Sequence, residues 1–204
     1  MLTIGILAIQ GAFIEHEKRL KGLKINTFEI RQLSDLTKDM DGLILPGGES
    51  TAMKRLLVDL GMFESLKRRI IEGLPTFGIC AGLILLAEDI MHENPHFGLL
   101  HISLARNFYG RQKDSFKTIG DTENQKIPMT FIRAPKIMSI KKDVTPIAWY
   151  QGDIVGVKQN HILGTTFHPE LDRSNVIYDI FIQMIKDKKT GNPVFILDSF
   201  RVKL

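Results

Sequence analysis

The chain has 204 residues, which is enough for one well-buried domain and short for two. Its net charge of +4 comes from lysines and arginines scattered along the chain, which favours a solvated basic face and disfavours a nucleic-acid partner. The single cysteine excludes an internal disulfide and fits a reducing compartment.

The N-terminal apolar run, residues 2–9, is followed at once by Gln10 and Gly11. It lacks the basic flank and the small-residue cleavage site of a signal peptide. No apolar run in the sequence is long enough to span a bilayer. We therefore expect a cytoplasmic protein with no membrane partner.

The first half of the chain alternates predicted strands with predicted helices. Apolar and β-branched runs predict strands at 3–9, 24–30, 42–45 and 76–79. Helical spacing predicts helices at about 13–23, at 51–60 with Ser50 or Thr51 as the capping residue, at 63–73 and at 81–87. This order indicates a parallel sheet covered by helices on both faces.

The second half is mostly predicted strand, and the strands fall at 99–107, 127–133, 144–149, 154–158 and 162–167. The polar stretch 110–126 predicts a loop, and the apolar spacing from Ile177 to Ile185 predicts an amphipathic helix. No linker or repeat interrupts the chain, so we expect a single α/β domain over residues 1–204. Residues 188–204, which include the apolar run 194–197, would be a C-terminal extension without an assigned role.

Cys80 lies in the sequence Gly-Ile-Cys-Ala-Gly at residues 78–82, between a predicted strand and a predicted helix. This is the nucleophile-elbow pattern with cysteine in place of serine. The glycines permit a sharp turn, and the N-terminus of the following helix favours the reactive thiolate. The N–H of Ala81 would point toward a developing oxyanion. A buried, inert cysteine is the alternative, which the glycine spacing disfavours.

A cysteine nucleophile needs a base and a group that orients the base, and Phe-His-Pro-Glu at residues 167–170 supplies both. His168 and Glu170 are two residues apart, so in an extended segment their side chains point to the same side. Glu170 can then hold one ring nitrogen while the other faces Cys80. The alternative is a loop histidine beside a solvated glutamate, and the cysteine elbow makes it the weaker interpretation.

A third element, Leu-Pro-Gly-Gly-Glu-Ser-Thr at residues 45–51, follows a predicted parallel strand, where open α/β sheets bind ligands. Gly47 and Gly48 let the backbone present N–H donors to a carbonyl oxygen or a carboxylate. A plain strand-to-helix turn is the alternative. No lysine follows the glycines, which excludes a phosphate loop of the Gly-Lys-Ser/Thr type.

The sequence His-Glu-Asn-Pro-His at residues 92–96 matches a zinc-binding pattern that requires both histidines on one face of a helix. Pro95 would break such a helix, and Asn-Pro is itself a turn signal. We therefore expect a surface turn here and no metal site.

These elements together resemble the triad-type glutamine amidotransferases, and the wider sequence looks like the glutaminase subunits of pyridoxal 5'-phosphate synthase. The segments that carry the resemblance are 5–13, 45–51, 80–87, Arg106 and Asn107 with 110–112, 131–135 and 167–171. The resemblance extends to about Lys186. The combination is specific because it includes segments that other amidotransferases do not share.

The resemblance implies a flavodoxin-like three-layer α/β fold with a mostly parallel central sheet and additional antiparallel strands in the second half. It implies hydrolysis of L-glutamine to glutamate and ammonia through a thioester on Cys80, with the ammonia channelled to a synthase subunit. No cofactor is implied. The implied glutamine contacts are Gly47, Gly48, Glu49, Arg106, Ile132 and Arg133, with Gly48 and Ala81 as oxyanion donors and Gln10 near the site.

The sequence departs from the family pattern at two places. Ile79 replaces the usual threonine before the nucleophile, and Asn-Phe-Tyr at residues 107–109 replaces Asn-Ser-Phe. Three alternatives stay open. The chain could be a glutaminase for another acceptor, such as imidazole-glycerol-phosphate synthase or a nucleotide amination system. It could be a catalytically inactive docking subunit, or a plain cysteine hydrolase, because nucleophile elbows recur on many folds.

Overall fold

The computed structural model describes residues 1–106 and 115–191. The strands are β1 (Thr3–Leu7), β2 (Asn26–Ile30), β3 (Gly42–Leu45), β4 (Thr76–Ile79), β5 (Ala87–Ile90), β6 (Leu100–Ala105), β7 (Phe116–Thr122), β8 (Lys126–Phe131), β9 (Lys136–Ile140), β10 (Thr145–Tyr150), β11 (Asp153–Gln159) and β12 (Ile162–Thr165). The helices are α1 (Phe13–Gly22), α2 (Ser50–Asp59), α3 (Phe63–Ile71), α4 (Ala81–Leu86) and α5 (Val176–Thr190), with 3₁₀ helices at Leu33–Thr37 and Pro169–Leu171. None of the helices in the described ranges has the length and apolarity needed to cross a bilayer.

Within the described residues, nine strands form one mixed sheet in the order β2-β1-β3-β4-β12-β11-β10-β7-β8. The five strands from β2 to β12 pair in parallel, and antiparallel pairing begins between β12 and β11. Strands β5, β6 and β9 form a smaller second sheet. The predicted fold, with parallel strands in the first half and antiparallel strands in the second, is confirmed.

Side-chain alternation divides the core into two apolar layers, one on each face of the main sheet. In β3, Leu43 and Leu45 pack with residues of α2, α3 and α4, whereas Ile44 packs with residues of α1 and α5. All three side chains are completely buried. A strand covered on both faces needs apolar residues at consecutive positions, which explains the run Leu-Ile-Leu in β3.

The carboxyl ends of β1, β3, β4 and β12 lie at the same edge of the main sheet because these strands are parallel and adjacent. The strand order places β2 on one side of β1 and β3 on the other, so the connections that leave β1 and β3 diverge and open a crevice. The three segments with predicted chemistry follow β3, β4 and β12 directly. The fold therefore places all three segments at one edge of the sheet.

Several predicted elements differ from the structure. The loop predicted at 110–126 is wrong for Phe116–Thr122, which form β7; only Gly120 among these residues is buried, so their polar composition hides the strand. The sequence does not predict β5 and β9. Helix α5 continues to Thr190, so the first residues of the expected extension, 188–190, are helical. The predictions for residues 107–112 and 194–197 concern positions outside the described ranges.

We predict that Gly82→Ala destabilises the fold by about 1–3 kcal/mol, because of overpacking. A Cβ atom at Gly82 would lie 2.0 Å from the backbone oxygen of Leu45, where neither group can move aside easily. Gly22→Ala is the matched control, because a Cβ atom there meets nothing within 4 Å. Urea unfolding measures both variants. Equal stability of the two variants would contradict the packing argument.

Candidate active site

Cys80 occupies a strained turn between β4 and α4. Its backbone φ of 49° and ψ of −96° are unfavourable for an L-residue and match the sharp elbow expected from the sequence. The flanking glycines are needed because a Cβ atom at Gly78 would lie 2.6 Å from Leu86 Cδ1 and 2.8 Å from the backbone oxygen of Gly82. The N–H of Cys80 donates a hydrogen bond to the Thr165 carbonyl at 2.8 Å, which joins the turn to β12.

His168 and Glu170 form a buried pair immediately beyond β12. The distance between His168 Nδ1 and Glu170 Oε1 is 2.6 Å, and the backbone N–H of His168 donates to the Thr130 carbonyl at 2.8 Å. The prediction from the sequence spacing assumes an extended segment, but Pro169–Leu171 form a 3₁₀ turn. That turn folds the Glu170 carboxylate back onto the imidazole ring.

The charge of His168 is set by two opposing effects. Burial lowers the pKa of His168, but its interactions with Cys80 and Glu170 outweigh burial and raise the pKa to about 10. The Cys80 side chain raises this pKa through both a hydrogen-bonding contact and its charge, although Nε2 of His168 makes no hydrogen bond of normal geometry with any described residue. The imidazolium form is therefore available at neutral pH to stabilise a thiolate.

The glycine loop after β3 packs directly against the imidazole of His168. A Cβ atom at Gly47 would lie 2.3 Å from His168 Cε1, and one at Gly48 would lie 2.4 Å from Gln10 Oε1. The loop is held by two hydrogen bonds, from the Ala12 N–H to the Gly47 carbonyl and from the Glu49 N–H to Gln10 Oε1, both at 2.9 Å. A side chain at Gly47 would collide with the His168 ring, and one at Gly48 would displace the Gln10 amide that binds the Glu49 N–H, which explains the two glycines of the loop.

Glu49 links the glycine loop to Arg106. Its carboxylate caps α2 by accepting hydrogen bonds from the N–H groups of Thr51 and Ala52, so the prediction that Ser50 or Thr51 caps this helix is wrong. Nη2 of Arg106 lies 2.9 Å from Glu49 Oε1.

Nη1 of Arg106 is bound by Glu93, with both carboxylate oxygens at 2.9 Å. Glu93 lies within the zinc-like sequence at 92–96, which forms no helix. In the described structure Glu93 forms an ion pair with Arg106, and residues 92–96 do not form the helix that the zinc pattern requires.

The loop after β8 borders the cleft. The thiol of Cys80 lies 3.8 Å from the Ile132 carbonyl oxygen. The next residue, Arg133, has a left-handed φ of 45°. The backbone therefore turns sharply where it passes the sulfur.

A cleft of about 320 Å³ brings the predicted residues together. Its lining consists of Gly11, Ala12, Gly47, Gly48, Glu49, Ser50, Cys80, Ala81, Ile84, Arg106, Ile132, Arg133, His168 and Leu171. Two predicted residues do not line it: Glu170 lies behind His168, and Gln10 lies behind the glycine loop. Ile84 and Leu171 line the cleft although the sequence does not single them out. Ile79, which departs from the family pattern, is a fully buried core residue.

The fold defines the class of protein. The chain superimposes on a crystal structure of a glutamine amidotransferase with a TM-score of 0.84 and 36% identity, covering 90% of this chain and 98% of that one. A protein from Thermoplasma acidophilum, described as a putative subunit of GMP synthase, has the same fold, with a TM-score of 0.68 at 21% identity over 94% of this chain and 97% of that one.

The sequence defines the family. Residues 6–187 match the model of the SNO glutamine amidotransferase family, and the chain belongs to that family. Subunit PdxT of pyridoxal 5'-phosphate synthase from Desulfitobacterium hafniense is 47% identical over 93% of this chain and 96% of its own length. The subunit of the same name from Methanocorpusculum labreanum is 48% identical over 90% of this chain and 98% of its own length.

We predict that Glu170→Gln slows alkylation of Cys80 by iodoacetamide at neutral pH on the order of ten-fold, because each unit by which the pKa of His168 falls lowers the ratio of the thiolate–imidazolium pair to the thiol–imidazole pair ten-fold. The carboxylate helps to raise the pKa of His168 to about 10, above the ordinary value, so its loss lets burial favour the neutral ring. Cys80 is the only cysteine, so mass spectrometry of the labelled protein reports a single site.

Glu17→Gln serves as the control for this experiment, because it removes the same charge from an exposed position on α1. It should leave the alkylation rate unchanged. Equal rates for the Glu170→Gln variant and the unsubstituted protein across the pH range would show that the carboxylate does not act on the cysteine through His168.

Proposed function

We propose that the chain hydrolyses L-glutamine to glutamate and ammonia, with Cys80, His168 and Glu170 as the catalytic residues. The observation that carries the proposal is that a thiol on a strained elbow meets, in one cleft, a histidine that has a buried carboxylate behind it. Membership of the glutamine amidotransferase family supports the choice of glutamine as the substrate.

In this mechanism the Cys80 thiolate attacks the side-chain amide carbon of glutamine. His168 holds the thiol proton and delivers it to the departing amine, so ammonia leaves and a γ-glutamyl thioester remains. Water, deprotonated by His168, then attacks the thioester and releases glutamate. Glu170 keeps the imidazole oriented and balances its positive charge. The N–H groups of Gly48 and Ala81 stabilise the oxyanion in both steps.

The other end of the cleft suits the α-amino acid group of glutamine. Arg106 provides a guanidinium for the α-carboxylate, and Glu49 beside it provides a carboxylate for the α-ammonium group. Ile132 and Arg133 border the space between the two ends. In the structure Arg106 and Glu49 bind each other, so glutamine would insert its own two charges into an existing ion pair.

We further propose that the ammonia passes to a synthase subunit that makes pyridoxal 5'-phosphate, in a hetero-oligomer. The support is the name of the relatives, subunit PdxT of pyridoxal 5'-phosphate synthase, which match the chain over nearly its whole length. A free cysteine at the reactive position fits a reducing compartment such as the cytoplasm. A glutaminase serving another acceptor, and a docking subunit without activity, are the alternatives that the experiments below separate.

Cys80→Ala should abolish ammonia release from glutamine in the complex with the synthase subunit of the same organism, since no other cysteine can form the thioester. Ammonia is measured with and without the synthase subunit, and binding of the variant to that subunit is measured in parallel. Normal turnover by the Cys80→Ala variant would disprove the proposed mechanism. An unsubstituted protein that binds the synthase but releases no ammonia would favour the docking alternative, and activation only by an unrelated synthase would favour another acceptor.

Arg106→Lys should raise KM for glutamine on the order of ten-fold, the cost of one hydrogen bond to a charged group, with little change in kcat. Lysine keeps the charge but loses the planar pair of donors. Arg55→Lys is the control, since Arg55 is an exposed arginine that pairs with Asp59 on α2. A KM for Arg106→Lys equal to that of the control would show that Arg106 does not bind the substrate.

A further inference from the structure

A second histidine lies behind the proposed triad. His16 on α1 is completely buried, and its Nε2 atom lies 3.8 Å from Oε2 of Glu170. Its other ring nitrogen, Nδ1, lies 2.7 Å from the hydroxyl of Tyr178 on α5, which is also completely buried. The five side chains of Cys80, His168, Glu170, His16 and Tyr178 therefore form a continuous line from the cleft into the core.

The protonation states of His16 and Tyr178 follow from their surroundings. Burial holds the pKa of His16 below its ordinary value, so the ring is neutral and carries one N–H. Burial and the nearby Glu170 charge raise the pKa of Tyr178 well above its ordinary value, so its hydroxyl keeps its proton.

If Tyr178 O–H donates to Nδ1, the single N–H of His16 is on Nε2 and points at the Glu170 carboxylate. The other tautomer would aim a lone pair at that carboxylate, which is repulsive. The tautomer with the proton on Nε2 is therefore favoured.

The second oxygen of Glu170 needs this donor. Oε2 of Glu170 and Nε2 of His16 are buried, and neither has a hydrogen-bond partner among the described residues. A buried carboxylate oxygen without a hydrogen-bond donor is destabilising. Nε2–H of His16 is placed to donate to Oε2 of Glu170. The separation of 3.8 Å exceeds a hydrogen bond, and such contacts commonly shorten when substrate binds.

We propose that His16 is a positioning residue of the glutaminase reaction, which holds Oε2 of Glu170 through its Nε2–H while Tyr178 fixes its tautomer. The proposal rests on the function proposed above. Its effect is to keep Glu170 ionised and aligned on His168 while the imidazole gains and loses its proton. The residue touches neither substrate nor the reacting atoms, so it acts only through Glu170.

The charged and titratable groups around His16 are few. Glu170 and His168 face it from the segment after β12, Tyr178 from α5, and Glu15 lies next to it on α1. Arg19, one turn further along α1, lies over the Tyr178 ring at 5.9 Å and donates to the carbonyls of Pro169 and Ser174, one on each side of Glu170 in the chain. A pH effect of changing His16 should therefore appear through Glu170.

His16→Leu tests the proposal in the complex with the synthase subunit. The expected result is a fall in kcat on the order of ten-fold, the cost of one hydrogen bond to a charged group, with KM for glutamine unchanged. The acidic limb of the pH profile of kcat should move to higher pH, because a Glu170 carboxylate without its donor takes up a proton more readily. His16→Gln supplies an amide N–H and should recover part of the loss.

Leu20→Ala is the matched control, because Leu20 is the other completely buried residue of α1 and carries no polar group. Its pH profile should be that of the unsubstituted protein. If His16→Leu and Leu20→Ala give the same profile, or if His16→Gln recovers nothing, His16 is only a packing residue. These tests apply when the unsubstituted protein releases ammonia and the Cys80→Ala variant does not. An unsubstituted protein without activity would instead overturn the proposed function.

Discussion

The geometry of the cleft depends on the backbone of Cys80, which stays at a positive φ only because neighbouring strands hold it there. Gly82 packs against the Leu45 carbonyl at the end of β3, and the Cys80 N–H is bound to the Thr165 carbonyl at the end of β12. The strands that fix the sulfur are thus the strands that carry the glycine loop and the histidine. A shift of one strand would move all of these groups relative to one another.

Helix α1 and the loop before it contact the same region from the other face of the sheet. The loop that precedes it binds the glycine loop through Gln10 and Ala12. Within the helix, the His16 ring faces Glu170, and Arg19 donates to the carbonyls of Pro169 and Ser174 on either side of Glu170 in the chain. Two loops that are far apart in sequence therefore share one support. His16, the buried polar residue of this helix, is therefore interpreted as part of the site rather than as an irregularity of the core.

The sequence predicts the parallel half of the fold well, because buried strands such as Leu-Ile-Leu in β3 have a strong apolar signal. It also identifies the segments of the cleft, because glycine spacing and the Cys and His motifs reflect local backbone requirements. Strand β7 is missed because its exposed residues follow no apolar alternation. The cap of α2 is assigned wrongly because a serine or threonine is the usual choice, whereas Glu49 performs that role here.

His16 shows a different limit of sequence reasoning. It falls on the inner face of α1, three residues after Phe13 and four before Leu20, so helical spacing alone could have marked it as buried. Nothing in the spacing could identify Glu170 or Tyr178 as its neighbours, because they come from segments more than 150 residues away in the chain. The α5 contact depends on how the two helices pack on the sheet.

The ion pair between Arg106 and Glu49 has a consequence for how substrate and product are told apart. In the proposed binding mode this pair holds the α-amino and α-carboxylate groups, which glutamate and glutamine share, so it cannot distinguish them. Selectivity must arise at the far end of the cleft, where a neutral amide meets the sulfur but the second carboxylate of glutamate would meet a thiolate with Glu170 behind it. In the proposed binding mode, electrostatic repulsion at that end would favour release of glutamate, and the ion pair between Arg106 and Glu49 would compete with binding at the α-amino acid end.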